Sequence, residues 1–436
     1  MIDPMMAGIL GIVFLLLVMF LLNTPVGFAM AITGFLGYAY IVSFDAAVSM
    51  VGSTLWTTFS SPGMTVIPLF TLMGYIVFYS GVNEKLYAAA YSWVGHIRGG
   101  IAMATIAACA AFATICGSNT ATAATMSTVA LPQMKKYGYN PMLSTGSVAS
   151  GATLGVVIPP SVVLIIIGLS TGQSIEKLFY GGIGAGVLLA LALILTVFVI
   201  CLICPSWGPT GPKTTWKDKG LTLLGAWETI LLFLLVILGM YFGWFTAAEA
   251  GAAGTFLAIA IGVMQRKLSR TDFLKAIKDA LKSSCMVITI VAGAMIFGKF
   301  LAVTRMPFDL ADNVAAWHIS KAAILWAVFI IYILGGTIMD ALALLIITLP
   351  IFYPLVVDKL GYDPIWFGVV ITVITTLGAI TPPVGAAMFV VASMAKEVPM
   401  KEVFKGVCFF IPAYIICIGL YMLFPQIITW LPSLLR

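Results

Sequence analysis

The sequence predicts an all-α polytopic membrane protein of two similar halves, each containing a re-entrant hairpin followed by a broken helix. The first support is composition: of 436 residues, 61% are apolar and 9% charged, with a mean hydropathy of +1.12. A soluble core cannot hide so much apolar surface. The second is a recurring set of marks. Cys116-Gly-Ser-Asn-Thr120, Leu131-Pro132, Gly138-Tyr-Asn-Pro141 and Thr153-Leu-Gly-Val-Val-Ile-Pro-Pro-Ser161 are followed in the same order by Gly335-Gly-Thr-Ile-Met-Asp340, Leu349-Pro350, Gly361-Tyr-Asp-Pro364 and Thr376-Leu-Gly-Ala-Ile-Thr-Pro-Pro-Val384. Gly138 to Gly361 and Thr153 to Thr376 are both 223 positions apart, whereas Leu131 to Leu349 is 218, so one short insertion separates the copies. The third is that Gly and Pro interrupt both apolar halves at matching places, the strongest sequence pointer to a binding site inside a membrane.

Apolar runs such as 7–22, 181–204, 230–245 and 407–424 approach the roughly 20 residues a helix needs to cross about 30 Å of hydrocarbon. Span 1 is 7–22. No basic stretch precedes it and another span follows directly, so it reads as a mature span and not a signal peptide. Span 2 is opened by Asn23-Thr-Pro25, with Thr24 as N-cap and Pro25 at the first helical position. Residues 49–63 read as a loop or interfacial piece, 65–81 as span 3, and 84–95 as an amphipathic helix in the membrane plane. Residues 99–115 and 121–134 are the Ala-rich arms of the first hairpin. Each is about 15 residues, short for a full crossing, and small side chains let the arms approach closely. A helix from Asn140 breaks at Gly155–Pro160 and resumes to about residue 170; span 6 covers 181–204 and a linker 205–220.

The second half repeats the plan. Span 7 ends near Trp244, and Thr246-Ala-Ala-Glu249 is a capping box opening span 8. Residues 265–283 carry six basic residues, and 284–303 is span 9. An in-plane helix at 307–317, a hairpin at 322–357, a helix at 363–394 broken at Gly378–Pro383, and a last span at 407–424 complete the chain.

Most of the 22 Lys and Arg fall in loops at 98, 135–136, 213–219, 265–282 and 396–405. If these lie inside, the positive-inside rule is satisfied and both termini lie outside. The first half then has an odd number of crossings, so the repeat is inverted and the two hairpins open from opposite faces. The net charge of +6 is spread over these loops, which argues against nucleic acid as a partner. The seven Cys show no metal spacing; Cys201-Leu-Ile-Cys204 lies in an apolar run and reads as packing.

Within hydrocarbon, unwound backbone survives only where it lines a site or is buried in protein. The two breaks offer carbonyls, and the tips beside them add Ser118, Asn119, Thr120, Thr337 and Asp340. Oxygen ligands suit a hard monovalent cation. The cation set is Ser118, Asn119, Gly155, Val156 and Pro159 in one half, and Gly336, Thr337, Asp340, Gly378, Thr381 and Pro382 in the other. The helix after each tip points its N-terminus inward, which favours an anion between the tips, where it would meet Ser118, Asn119, Thr120, Thr337 and Thr381. Helix capping alone is the competing account of Ser118-Asn-Thr, and kinking alone of the Pro-Pro pairs. Asp340 stands in an apolar run where a charge costs roughly 2.5–3.5 kcal/mol. Two roles are open for it, cation ligand or tip cap. Lys299 and Arg305 read as snorkelling, and His96 and His318 as solvated interface residues. No Walker motif, His-Glu-x-x-His or Gly-x-Ser-x-Gly occurs, which argues against ATP use and common hydrolases.

The Cys-Gly-Ser-Asn-Thr tip, both Gly-Tyr-Asn/Asp-Pro loops, both Pro-Pro breaks, Asn23-Thr-Pro-Val-Gly-Phe-Ala and Phe245-Thr-Ala-Ala-Glu-Ala resemble the large membrane (M) subunit of tripartite ATP-independent periplasmic (TRAP) transporters, over nearly the whole chain. Where many members have Thr-Pro-Thr-Glu, this chain has Thr246-Ala-Ala-Glu249, which keeps the capping Thr and Glu. The resemblance implies an elevator-type secondary transporter in the bacterial inner membrane. It would be driven by Na⁺, carry an organic acid such as a C4-dicarboxylate or sialic acid, receive it from a periplasmic substrate-binding protein, and pair with a small four-helix Q subunit. No Q-like segment precedes residue 1, so that subunit is expected as a separate chain. A stand-alone Na⁺/carboxylate symporter or antiporter is the alternative. The expected division is 1–98 (scaffold spans 1–3 and first arm helix), 99–170 (first hairpin and broken helix, transport unit), 171–220 (span 6 and cytoplasmic linker), 221–320 (scaffold spans 7–9 and second arm helix), 321–395 (second hairpin and broken helix, transport unit) and 396–436 (final span).

Overall fold

The computed structural model describes residues 3–211, 214–316, 319–382 and 385–435. Pro383, His318, Lys213 and the end of the second arm at Trp317 lie outside them. The described residues are helical, without a strand. The first spans are α1 (Pro4–Leu21) and α2 (Val26–Ile41). The predicted Thr24 cap does not form. Pro25 is the cap residue, with φ near its ring-fixed value at −56° and a carbonyl that accepts from the Phe28 and Ala29 N–H groups at 3.0 and 3.1 Å. Residues 49–63, expected as a loop or interfacial piece, are not a loop but mostly helix, α3 (Phe44–Phe59). Its Ser and Thr side chains bond back to the helix's own carbonyls, Ser53 Oγ to Met50 O at 3.0 Å and Thr57 Oγ1 to Ser53 O at 2.9 Å, so polar composition does not unwind it.

α4 (Val66–Tyr79) and the short α5 (Val82–Val94) lead into α6 (Gly100–Cys116) and α7 (Asn119–Lys136), the arms of the first hairpin. Then follow α8 (Pro141–Ala152), the single turn α9 (Leu154–Val157), α10 (Val162–Thr171) and α11 (Ile175–Ile203). The predicted linker contains a helix, α12 (Trp216–Gly225), begun by a capping box of Thr215 and Asp218 and set at 56° to α13 (Trp227–Tyr241). α14 (Ala247–Met264) has the predicted capping box, with Thr246 N–H donating to Glu249 Oε2 at 2.9 Å. The basic run and span 9 are one helix, α15 (Arg270–Thr304). Its 35 residues span about 52 Å, longer than the hydrocarbon layer, so its basic end projects beyond the apolar zone.

α16 (Met306–Ala315) is the second arm, and α17 (Lys321–Ile338) and α18 (Ala341–Tyr353) the second hairpin. A π-turn, Pro354–Lys359, prolongs α18, so each arm of this hairpin is long enough to cross by length alone. α19 (Pro364–Ile380), α20 (Ala386–Met394), α21 (Met400–Cys408), α22 (Ile411–Leu423) and α23 (Gln426–Ser433) end the chain. In the first half the helix is interrupted for one residue at Thr153 and again at Ile158–Ser161, and in the second α19 ends at Ile380 with Thr381 as its C-cap, so Gly155 and Gly378 both lie within helical turns and not at the breaks.

Two packed groups result. In one, α2 lies along α15, with α4, α14, α13, α1 and α3 around them. Glycines set the α2–α15 spacing: a Cβ at Gly27 would stand 2.8 Å from Thr289 O, and one at Gly34 2.8 Å from Phe297 Cα. In the other, α8 and α19 run through the centre with nearly every side chain buried; in α8 the buried Ser144, Thr145 and Ser147 hydroxyls bond back to the carbonyls of Asn140, Pro141 and Ser144. The hairpins, α10, α11 and α20 to α23 surround them. Across this core, α10 packs on α18 and α20 on α7, so the resumed helix of each half lies against the hairpin of the other. α5 packs on α4, α6 and α12, and α16 on α15, α18 and the π-turn, so an arm stands between the groups in each half.

Gly34→Val should push α2 off α15 and destabilise the protein by about 1–3 kcal/mol, as overpacking does. Gly298→Val, where a Cβ meets nothing within 4 Å, should leave the detergent melting temperature near wild type. Equal melting curves for the two variants would show that α2 and α15 are not held at this spacing.

Candidate functional site

Each tip is fastened to the break of its own half through glycine and backbone contacts. At the first tip, Gly117 turns the chain at φ +61°, in the left-handed region, and a Cβ there would stand 3.0 Å from Pro160 O. Ser118 caps α7: its Oγ accepts from Ala121 N–H at 3.5 Å, while its carbonyl accepts from Thr122 N–H at 3.1 Å and Thr122 Oγ1 at 2.7 Å. Gly155 lies against this turn, where a Cβ would stand 2.8 Å from Ser118 O. Asn119 is buried, and with its carboxamide oriented by its surroundings Nδ2 donates to Thr153 O at 3.0 Å and Ala152 O at 3.3 Å.

The second tip repeats the junction. Gly336 meets Gly378 backbone to backbone, with a Cβ on Gly378 reaching within 2.6 Å of Gly336 Cα. Gly385, at φ +55°, donates its N–H to Thr337 O at 3.3 Å. Asp340 caps α18, Oδ2 accepting from Leu342 N–H at 3.2 Å.

Both tips open on one cavity of about 680 Å³, within the usual range for small-molecule sites. It brings together Ser118, Asn119, Thr120, Val156 and Asp340 of the sequence-predicted residues. Gly155, Pro159, Gly336, Thr337, Gly378, Thr381 and Pro382 are not among its lining; most of them stand behind it in the junctions. The carbonyls predicted to be open are partly taken: Val156 O accepts from Ser161 Oγ at 2.5 Å, and Gly378 O from Thr381 N–H at 3.0 Å. Thr381 Oγ1 also turns back, to Leu377 O at 2.6 Å. The remaining donor set is hydroxyl and carbonyl oxygen plus one carboxylate. That set fits a hard cation such as Na⁺, and among the described residues no His/Cys/Asp/Glu group is arranged for a transition metal.

The far wall belongs to the other packed group and was not legible in the sequence. Thr71, Tyr75 and Phe78 of α4 and Ser283, Met286 and Val287 of α15 line it, and Tyr75 Oη and Ser283 Oγ share a hydrogen bond of 2.9 Å. These residues lie on regular helices with no break to mark them. A Tyr and a Ser 208 positions apart meet only through the packing of α4 on α15. Thr125, on α7, faces the cavity as well; it is 5% exposed and its Oγ1 has no hydrogen-bond partner. Away from the site, Lys299 and Arg305 are exposed, His96 is half-buried, and Cys201 is buried against Gly99 and Gly208, consistent with packing.

Residues 13–427 match the family described as Tripartite ATP-independent periplasmic transporter, DctM component. The chain is 32% identical over 349 residues to the C4-dicarboxylate TRAP transporter large permease protein DctM of Pseudomonas aeruginosa, covering 80% of this chain and 81% of that one. It is 34% identical over 374 residues to the isethionate TRAP transporter permease protein DctMQ of Oleidesulfovibrio alaskensis, covering 83% of this chain and 57% of the relative. In fold it resembles the Alcanivorax borkumensis YdaH transporter, with a TM-score of 0.68, 97% of this chain and 99% of that one covered, and 14% identity.

Adding one methyl at either junction should separate tip from break. Gly155→Ala and Gly378→Ala are each expected to lower the melting temperature by the equivalent of about 1–3 kcal/mol and to reduce uptake at least tenfold. Full uptake by both variants would show that tip and break need not touch.

Proposed function

Because the chain belongs to the DctM family, the large membrane permeases of TRAP transporters and not enzymes, we propose that it carries an organic acid across the bacterial inner membrane by Na⁺-coupled, elevator-type transport. The multi-pass helical fold is that of an inner-membrane protein. The observation that carries the reading is the cavity where both hairpin tips face α4 and α15. Two tips with their breaks make a unit that can hold cargo, and a wall of uninterrupted helices makes a surface along which it can slide. α5 and α16 join the two groups as arms, the expected division of the chain into scaffold and transport unit. Ser283 to Val287 follow directly on the basic stretch of α15, so on the positive-inside reading the cavity faces the cytoplasm in this structure.

The cargo class is an organic acid, C4-dicarboxylate, sialic acid or a similar carboxylate; the relatives' names include C4-dicarboxylate and isethionate. A periplasmic binding protein delivers it, and a small four-helix Q subunit completes the membrane complex. Na⁺ is held at the tip junctions by Ser118, Asn119 and the Gly155–Pro159 backbone in one half, and by Gly336, Thr337, Asp340 and the Gly378–Pro382 backbone in the other. Coupling to two or more ions is sufficient even for the costliest cargo. At 100 mV and a tenfold Na⁺ gradient each ion supplies roughly 2.3 + 1.4 kcal/mol, while a dianion costs about 4.6. One ion falls short. Two leave about 2.8 kcal/mol, roughly hundredfold accumulation.

Uptake by the reconstituted complex should therefore depend on Na⁺ with a Hill coefficient above 1, and Ser118→Ala should raise the Na⁺ needed without loss of expression. A coefficient near 1, or uptake unchanged in Na⁺-free buffer, would sink the coupling.

In a variant without native thiols, cysteines at Ser118 and Thr337 should react with impermeant reagents from opposite sides of the membrane, at rates that Na⁺ or cargo changes. Labelling of both from one side under every condition would rule out the inverted topology or the motion.

A further inference from the structure

The Glu228 carboxylate is 1% exposed at the start of α13, where Oε1 accepts from Lys85 of the arm α5 and from Gln265 at the end of α14. Oε2 is buried too and has no partner among the described residues. A second ammonium stands beside the pair. Lys267, in the turn between α14 and α15, is held below the usual lysine range by partial burial and by the neighbouring Lys85, while Glu228 and Glu84 draw it the other way. A buried carboxylate stripped of its cation is strongly destabilising. Glu228 has two lysines at hand and uses one.

The fold holds those lysines differently. A Cβ on Gly262 of α14 would meet Ser80 Oγ at 3.0 Å and Leu268 Cβ at 3.1 Å, so the turn carrying Lys267 is folded onto α14 and the end of α4. Lys85 lies one turn past Gly81, which has φ +68° and open space where a Cβ would stand. The far end of this arm is fastened to the hairpin base and the linker: Gly211 N–H donates to Gly95 O at 2.9 Å, Gly99 N–H to Gly208 O at 2.8 Å and Thr214 Oγ1 to Ser92 O at 2.5 Å. α12 packs along α5, with Ser92 Oγ and Thr222 Oγ1 sharing a hydrogen bond of 2.6 Å, and bends by 56° at Ala226 into α13. Glu228 therefore sits where both connections leave the group around α15, at the places that would serve as hinges. Resting on the transport reading above, we propose that Glu228 exchanges lysines during transport: Lys85 holds it while the cavity faces the cytoplasm, and Lys267 takes it when the arm swings about Gly81 with the hairpins. The buried charge is then neutralised at both ends of the motion, and Gln265 stays on it throughout.

The test uses the full chain without native thiols in membrane vesicles, with the Ser118→Cys or the Thr337→Cys reporter, at one fixed Na⁺ concentration. The labelling rate of the reporter that reacts from the cytoplasm, divided by that of the reporter that reacts from the periplasm, follows the populations of the two positions. Lys85→Met should lower this ratio and Lys267→Met raise it, each at least about tenfold. In a Glu228→Gln background, with no charge to exchange, Lys267→Met should change it less than about twofold. If Lys85→Met does not reach the membrane, Lys267→Met decides by itself, because Glu228 does not rest on Lys267 in this structure. A wild-type ratio in Lys267→Met, or the same shift in the Glu228→Gln background, overturns the exchange and leaves the transport reading standing. Reaction of both reporters from one side under every condition overturns the motion, and the exchange with it.

Discussion

A peptide group inside hydrocarbon has no water to bond, and each one left unsatisfied costs several kcal/mol. That constraint governs this molecule, because its central helices are interrupted where a membrane helix can least tolerate it. Each interruption is answered from elsewhere in the chain. Ser161 closes on Val156 O, Asn119 reaches Ala152 O and Thr153 O, and the Tyr414 hydroxyl on α22 meets Ser150 O at 3.1 Å and Thr153 Oγ1 at 2.5 Å. In the second half Gly385 N–H bonds to Thr337 O and Thr381 caps its own helix. The site is thus assembled from the groups that make its irregular backbone tolerable.

Close approach makes these answers possible. Gly155 and Gly378 stand where the tip backbones press against the broken helices, and any side chain would hold them apart. The same device recurs between α2 and α15, where glycines bring two long helices into backbone contact. Since α10 lies on α18 and α20 on α7, each half's tip packs against the other half's resumed helix. The hairpins and breaks form one packed group, and α4 with α15 is the surface that its cavity faces.

Charged groups tie the body and its surroundings together at the ends of the helices. Lys85 on the arm α5 pairs with Glu228 at the start of α13, which Gln265 also reaches. Lys359 after α18 pairs with Asp312 on the arm α16. Lys135 at the end of α7 pairs with Glu397 after α20, and holds that carboxyl below the usual carboxylate range. This last pair is fully in solvent, where such contacts contribute little; it marks how near the bases of the two halves come.

The sequence by itself determined the class, a hairpin followed by a broken helix in each half, and the approximate places of the tips and breaks. Composition, Gly and Pro spacing, and Ser118, Asn119 and Asp340 at fixed places in apolar runs are local signals, and a helix that must satisfy its own backbone leaves few ways to read them. It misplaced what depends on neighbours. Residues 49–63 looked polar enough for a loop, yet their hydroxyls satisfy themselves within a helix. Gly155 and Gly378 looked like the breaks themselves and are instead contact points beside them. Only the tertiary structure decided which oxygens face the cavity, that Thr125, Tyr75 and Ser283 belong to it, and that Thr337 and Thr381 turn away into the junctions. Those facts follow from which helices pack together, which no local pattern encodes.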